Sequence, residues 1–345
     1  MRRRNIGLLI LAYIALWAVG IKAQQSESNF RNPNLQSLEK VYTTAREATV
    51  RIETIPSGIG SGFFISSDGL VMTAFHVIDE TRRLYVRTAD QQLYPADVVG
   101  YDAPRDLALI RIRPDRPMPY LELELGTALK PGEPVLNIGN SRDEFIAARP
   151  GTVTRLDRTL SSLFPRGLVA STMPLAPGDS GGPILNAQGR VVGVAVAIGM
   201  ENRQFSSYGA PLAGLSEVVA RLNAGQRREW PFLGIEGPIE LNAESAQALR
   251  LQPGGLLITN LMPGGAAERA GLRSAQISQL GNVTRVLRYD IILEVDGTAI
   301  NTLEELRTLI RTREVGDVVT LKMRRDGELT TIKVVLTANP QKPNL

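Results

Sequence analysis

A chain of 345 residues with 43% hydrophobic and 21% charged residues has room for two domains and enough apolar content for packed cores, which excludes wholesale disorder. Its net charge of +4 comes from 39 basic and 35 acidic residues, but Arg2, Arg3, Arg4 and Lys22 lie in a segment without Asp or Glu. The remainder balances at 35 against 35, which removes the electrostatic footing for a nucleic-acid partner. No cysteine and a single histidine exclude disulfides, a thiolate nucleophile and multi-histidine or cysteine metal sites, and no cofactor is expected.

Behind the basic triplet runs an apolar stretch from Ile6 to Ile21. It falls slightly short of the ~20 residues of an average span, and Lys22 can extend it by reaching toward the interface. It exceeds the ~7–15 residues of a signal-peptide core, so residues 6–22 read as a membrane anchor; a cleavable signal ending at Ala23 is the alternative. Either way the basic end stays cytoplasmic and the rest is exported. Residues 24–34 are polar and aperiodic, a tether. Leu35, Leu38, Val41 and Tyr42 then recur at helical spacing.

From Thr49 the pattern changes to short β-rich runs at 49–55, 61–66, 70–74, 84–88, 107–112, 134–138, 167–172 and 190–198, with a hairpin signal at Asp68-Gly69. Many short strands without long helices between them predict an all-β barrel or sandwich. Leu215, Val218, Val219 and Leu222 mark a helix that closes this region. The polar stretch 223–229 is a boundary, giving an anchor and tether over 1–34, a first domain over 35–225 and a second over 226–339. In the second, mixed α+β domain, Thr302 and Glu305 form a capping box ahead of the apolar face Leu303, Leu306, Leu309 and Ile310. Strands are predicted at 318–325 and 328–336 around Asp326-Gly327, and the polar, basic stretch 273–288 reads as an insertion.

The run Gly178-Asp179-Ser180-Gly181-Gly182-Pro183 carries the chemistry. A serine hydroxyl needs an adjacent base to become a nucleophile, and donors aimed at the oxyanion it creates. Gly178 permits a turn that points its own N–H and that of Ser180 into one small space, and the candidate oxyanion residues are Gly178, Asp179 and Ser180. A Gly-rich strand connection is the plainer reading of this run alone. The base must be His76, the only histidine, placed at the end of the strand after the hairpin. A carboxylate should orient its imidazole. Asp106, directly before an apolar strand, is the candidate, with Asp102 as its rival.

Residues 58–76 resemble the histidine region of the HtrA/Deg family of trypsin-like serine proteases. Asp106-Leu107-Ala108-Leu109 resembles its aspartate motif, Pro177–Pro183 its nucleophile loop, Tyr208-Gly209-Ala210-Pro211 its closing strand, and the second domain its PDZ domain. The resemblance implies a double β-barrel fold, the triad His76, Asp106 and Ser180, trimeric assembly, and cleavage of unfolded or misfolded polypeptides or of a specific regulatory substrate. Anchor, protease and single PDZ domain together are similar to the DegS-like, periplasm-facing branch concerned with envelope stress. A proteolytically silent chaperone or PDZ scaffold on the same fold is the alternative.

By the same resemblance Phe232-Leu233-Gly234-Ile235 is the loop that binds peptide C-termini, with the helix from 303 to 312 as the other groove wall. Glu236 stands where a glycine is usual and would disfavour a carboxylate. Pro174, six residues before Ser180, falls at the base of the S1 pocket, so no acid there selects Lys or Arg and small aliphatic residues fit better. Asp179 stands where the family usually carries Asn, whereas digestive relatives pair an Asp there with a new N-terminal amine. With no activation site evident, Asp179 is expected to pair with an arginine from a mobile loop.

Overall fold

The computed structural model describes residues 37–340 except 57, 80, 142–143, 202–203 and 281–282. The predicted anchor and tether therefore lie outside the described residues, among which no helix is long and apolar enough to cross a membrane.

The first lobe holds β1 (Thr49–Ile55), β2 (Gly58–Phe64), β3 (Leu70–Thr73), β4 (Arg83–Arg87), β5 (Leu93–Pro95), β6 (Asp97–Asp102) and β7 (Leu107–Arg111). Alternation drives the pattern: in β1, Val50 and Ile52 are fully buried while Arg51 and Glu53, the residue after each, stay half-exposed. The strands pair in the order β5-β4-β1-β2-β3-β7-β6. This ladder does not close on itself as the expected double barrel would. Instead Arg227–Arg228, from the segment read as a boundary, adds to its edge in parallel with Tyr101 and Asp102 of β6.

The second lobe is a closed barrel of β8 (Pro134–Gly139), β9 (Ala147–Arg158), β10 (Leu168–Ser171), β11 (Pro183–Leu185), β12 (Val191–Glu201) and β13 (Gln204–Pro211). A helix over Ser37–Ala45 lays Leu38, Val41 and Ala45 into a core formed by both lobes, with Phe63 and Met72 on one side and Leu136 and Ile138 on the other. His76 lies not at a strand end but on a one-turn helix, Phe75–Ile78, entered from extended Ala74.

Beyond the lobes, strands over Ile239–Glu240, Leu256–Leu257, Asp290–Val295, Val318–Arg325 and Glu328–Val335 form one sheet, with Thr298–Ala299 paired onto Asp290–Val295. The helix Leu303–Ile310, two residues shorter than expected, starts on the Thr302–Glu305 capping box and packs Leu306 and Ile310 against Leu256, Ile292 and Leu321. Residues read as an insertion fold into a separate hairpin, Gln276–Leu280 with Val283–Arg288. Its base is fastened by Arg273 and Arg325, both bound to the fully buried carboxylate of Asp290. The lobes touch this unit where Ser162 donates its amide (2.6 Å) and hydroxyl (2.8 Å) to Glu304, on the first turn of that helix.

Candidate active site

His76 and Asp106 come from the first lobe and Ser180 from the second, so the site lies at their junction. Asp102 caps a 3-10 turn over Ala103–Arg105 by accepting from the Arg105 amide at 3.0 Å, and the chain leaves that turn through Asp106 in the left-handed conformation (φ 56°). This places the buried Asp106 carboxylate against His76 twice. Oδ2 meets the ring Nδ1 at 2.6 Å and Oδ1 accepts from the His76 amide at 2.8 Å. Both bonds fix the ring's orientation and leave Nε2 facing outward as the basic nitrogen. The ring keeps 44% of its surface exposed. Desolvation works against the imidazolium, but the charge and hydrogen bond of Asp106, aided by Asp79, outweigh it and lift His76 above its ordinary pKa. Asp102 is excluded as the partner, because its carboxylate is taken by Arg105 at 2.8 Å and Arg228 at 3.3 Å.

The nucleophile turn has its peptide groups assigned one by one. The Asp179 amide donates to Ala176 O at 3.0 Å, which removes Asp179 from the expected oxyanion donors. Its carbonyl accepts from Gly182 at 3.0 Å, and the Gly181 amide donates to Ala195 O at 2.8 Å. Among the described residues nothing accepts from the Gly178 and Ser180 amides. The turn needs φ of 106° at Gly178, where a Cβ would lie 2.0 Å from the Asn140 carbonyl. The Ser180 hydroxyl donates to Val196 O at 3.2 Å. That carbonyl is available because Val196 is the extra residue of a bulge in β12, between Ala195 paired with Gly209 and Ala197 paired with Tyr208.

Two residues that shape this turn are not among the site candidates read from the sequence. Ser61 of β2, fully buried, donates its amide to Ser180 O at 2.8 Å and its hydroxyl to Gly178 O at 2.7 Å. The same hydroxyl accepts from the Asn140 amide at 2.9 Å. Arg149 is the cation on Asp179, Nε to Oδ2 at 3.0 Å. It stands on β9 and is buried, so the expected mobile-loop arginine is corrected to a strand residue. Pro174 is exposed rather than at a pocket floor; the buried neighbour is Met173, whose carbonyl accepts from the Ser207 hydroxyl.

In the second unit, Phe232 bridges to Thr337, and the Leu233 and Gly234 carbonyls accept from Ala267 at 2.7 Å and Met262 at 2.9 Å. This turns the loop's carbonyls inward. Ile235–Glu236 pairs with Asn260–Leu261, and Glu236 accepts from the Asn260 side chain at 2.7 Å, so its charge is partly spent on a neighbour. Among the described residues no group of three metal-ligating side chains is found.

Two lobes with histidine and aspartate on one and a glycine-flanked serine turn on the other define a trypsin-like serine-protease domain. Residues 60–194 match the trypsin-like peptidase domain and residues 231–336 the PDZ domain. A probable periplasmic serine endoprotease, DegP-like, of Marinomonas sp. (strain MWYL1) is 34% identical over 292 residues, 84% of this chain and 59% of its own length. Protease Do-like 1, chloroplastic, of Arabidopsis thaliana is 29% identical over 301 residues, 85% of this chain and 67% of its own. The chain thus spans about three fifths to two thirds of the length of these relatives. Among solved structures, the serine endoprotease from Yersinia pestis aligns with a TM-score of 0.54 at 21% identity, covering 87% of this chain and 97% of that one. The HtrA-type protease AlgW with a decapeptide gives 0.55 at 19%, covering 88% and 98%. The chain belongs to the HtrA/Deg family of trypsin-like serine proteases, with one PDZ domain.

Proposed function

We propose that this protein is an exported endopeptidase in which Ser180 is the nucleophile, His76 its general base and Asp106 the residue that orients the base. The observation that carries the reading is the doubly bonded Asp106–His76 pair on one lobe together with a serine turn with two uncommitted amides on the other. The Ser180 hydroxyl turns from Val196 O to His76 Nε2, gives up its proton there and bonds to the scissile carbonyl carbon. The carbonyl oxygen takes the negative charge and sits on the Gly178 and Ser180 amides. As the C–N bond breaks, His76 returns the proton to the leaving amine; water, deprotonated by His76, then releases the acyl group.

The substrates are unfolded or misfolded polypeptides, or a specific regulatory protein, cut after small aliphatic residues as the family resemblance implies. Relatives named periplasmic support export, and residues 6–22 supply the anchor. The loop 232–235 takes peptide C-termini, as the peptide complex of AlgW encourages, and the working form is a homotrimer. Casein degradation with and without C-terminal peptides, together with fluorophosphonate labelling, tests the reading. Both degradation and labelling should vanish in Ser180→Ala. Degradation that survives would overturn the assignment of the nucleophile, and a wild type that neither labels nor cleaves would point to a silent chaperone or scaffold.

A further inference from the structure

Asp179 lies at the centre of the nucleophile turn, yet its side chain points away from the reaction into the second lobe, where it is fully buried. Its Oδ2 accepts from Arg149 Nε at 3.0 Å and from the Ala176 amide at 2.8 Å, while Oδ1 has no partner among the described residues. The fit is tight: a Cβ on Gly139 of β8 would lie 2.4 Å from Oδ1. The guanidinium is itself buried and extends its other end to Glu144. One cation therefore serves two carboxylates, the fully buried Asp179 and the partly exposed Glu144, and among the described residues Asp179 has no second ion-pair partner.

Glu144 belongs to the loop after β8, which is also anchored. The Asn140 side chain donates to Val50 O and accepts from the Ile146 amide, and Arg51 donates to the Ser141 and Glu144 carbonyls at 3.1 and 3.3 Å. Arg149 thus joins a loop braced by the first lobe to the turn that carries Ser180. Displacing the Asp179 side chain would rotate the two peptide groups flanking it, and one of these carries the Ser180 amide.

We propose that Arg149 is a positioning residue for the reaction at Ser180: shared between Asp179 and Glu144, it holds the turn in the form that keeps the Gly178 and Ser180 amides open to the oxyanion. The proposal rests on Ser180 being the nucleophile, and it adds a residue on β9 that supplies no atom to the reaction.

The test is a cycle in the full chain, with sites counted by fluorophosphonate labelling and folding followed by circular dichroism. Arg149→Met leaves a buried, uncompensated carboxylate beside the turn. Turnover per labelled site should fall about 100-fold with KM little changed, the scale of losing one oxyanion donor. Asp179→Asn added to Arg149→Met removes the stranded charge, keeps an acceptor for the Ala176 amide, and should restore most of the turnover. Where Arg149→Met alone does not fold, recovery of folded, active protein in the double variant supports the proposal equally. Wild-type turnover per labelled site in Arg149→Met, or a double variant no better than the single, would overturn the proposal. Ser180→Ala run alongside separates this from failure of the nucleophile assignment, which would show as cleavage without labelling.

Discussion

Ser61 and Ser180 sit on different lobes, yet the Ser61 amide donates to the Ser180 carbonyl at 2.8 Å while its hydroxyl holds the Gly178 carbonyl at 2.7 Å. One residue of β2 thus clamps both sides of the turn. Ser61→Ala would leave the buried Asn140 amide and Gly178 carbonyl without their partner, at a cost of about 1–3 kcal/mol. Urea unfolding should show that loss, and kcat should fall more than KM rises, because the freed Gly178 peptide can reorient.

His76 carries a pKa above its ordinary value through Asp106, and only the neutral ring can accept the serine proton. Activity should therefore fall as pH drops through that raised value, placing the acid limb of kcat/KM above about 6.5. In Asp106→Asn the limb should move to lower pH, and kcat should drop by about 10⁴-fold through loss of the correct tautomer. An unmoved limb in a folded variant would assign the titration to another group.

Asp179 is pushed above the usual carboxylate range by burial, against the pull of Arg149 and the Ala176 amide. A carboxyl raised in the folded state costs stability when ionised, and the cost grows as pH rises from the ordinary ~3.9 through the raised value, then stays level. Asp179→Asn removes that cost. Measured against Asp179→Asn, wild type should therefore lose stability as pH rises through that range, and the gap between the two denaturation midpoints should be level above it.

Glu304 is held below its usual range because the Ser162 amide and hydroxyl bonds outweigh desolvation. Glu304→Gln should weaken the contact between lobes and PDZ unit while leaving the exposed helix start folded. The cysteine-free chain allows spin labels at introduced sites on Thr159 and Arg307. Their distance distribution should broaden in the variant and stay narrow in wild type.

Much of the fold follows from local pattern. Strands where apolar residues alternate or run together, such as 49–55 and 107–111, are readable because burial of Val50, Ile52 or Leu109 depends on spacing alone. β9 is not, since Arg149, Pro150, Gly151, Arg155 and Asp157 hide it; it is held by pairing with β8 on one side and β10 on the other. The site shows the same division. Ser180 and His76 stand out by motif and by uniqueness. Ser61 and Arg149 carry no local mark, and become visible only when strands distant in sequence meet the turn. An Asp in place of the expected Asn at 179 announces a cation without saying which element supplies it.

The short strand Arg227–Arg228 lies against β6, and Arg228 binds both Asp102 and Glu314. Asp102 in turn caps the turn that delivers Asp106. The connection between the two units is therefore pinned to the protease sheet at this point. A PDZ unit that swings away breaks the Arg228–Glu314 ion pair, and any pull carried through Arg228 acts on Asp102 and so on the turn ahead of Asp106. A load on the PDZ unit carried this way would arrive at Asp106 through the backbone of its own turn, on the lobe opposite Ser180.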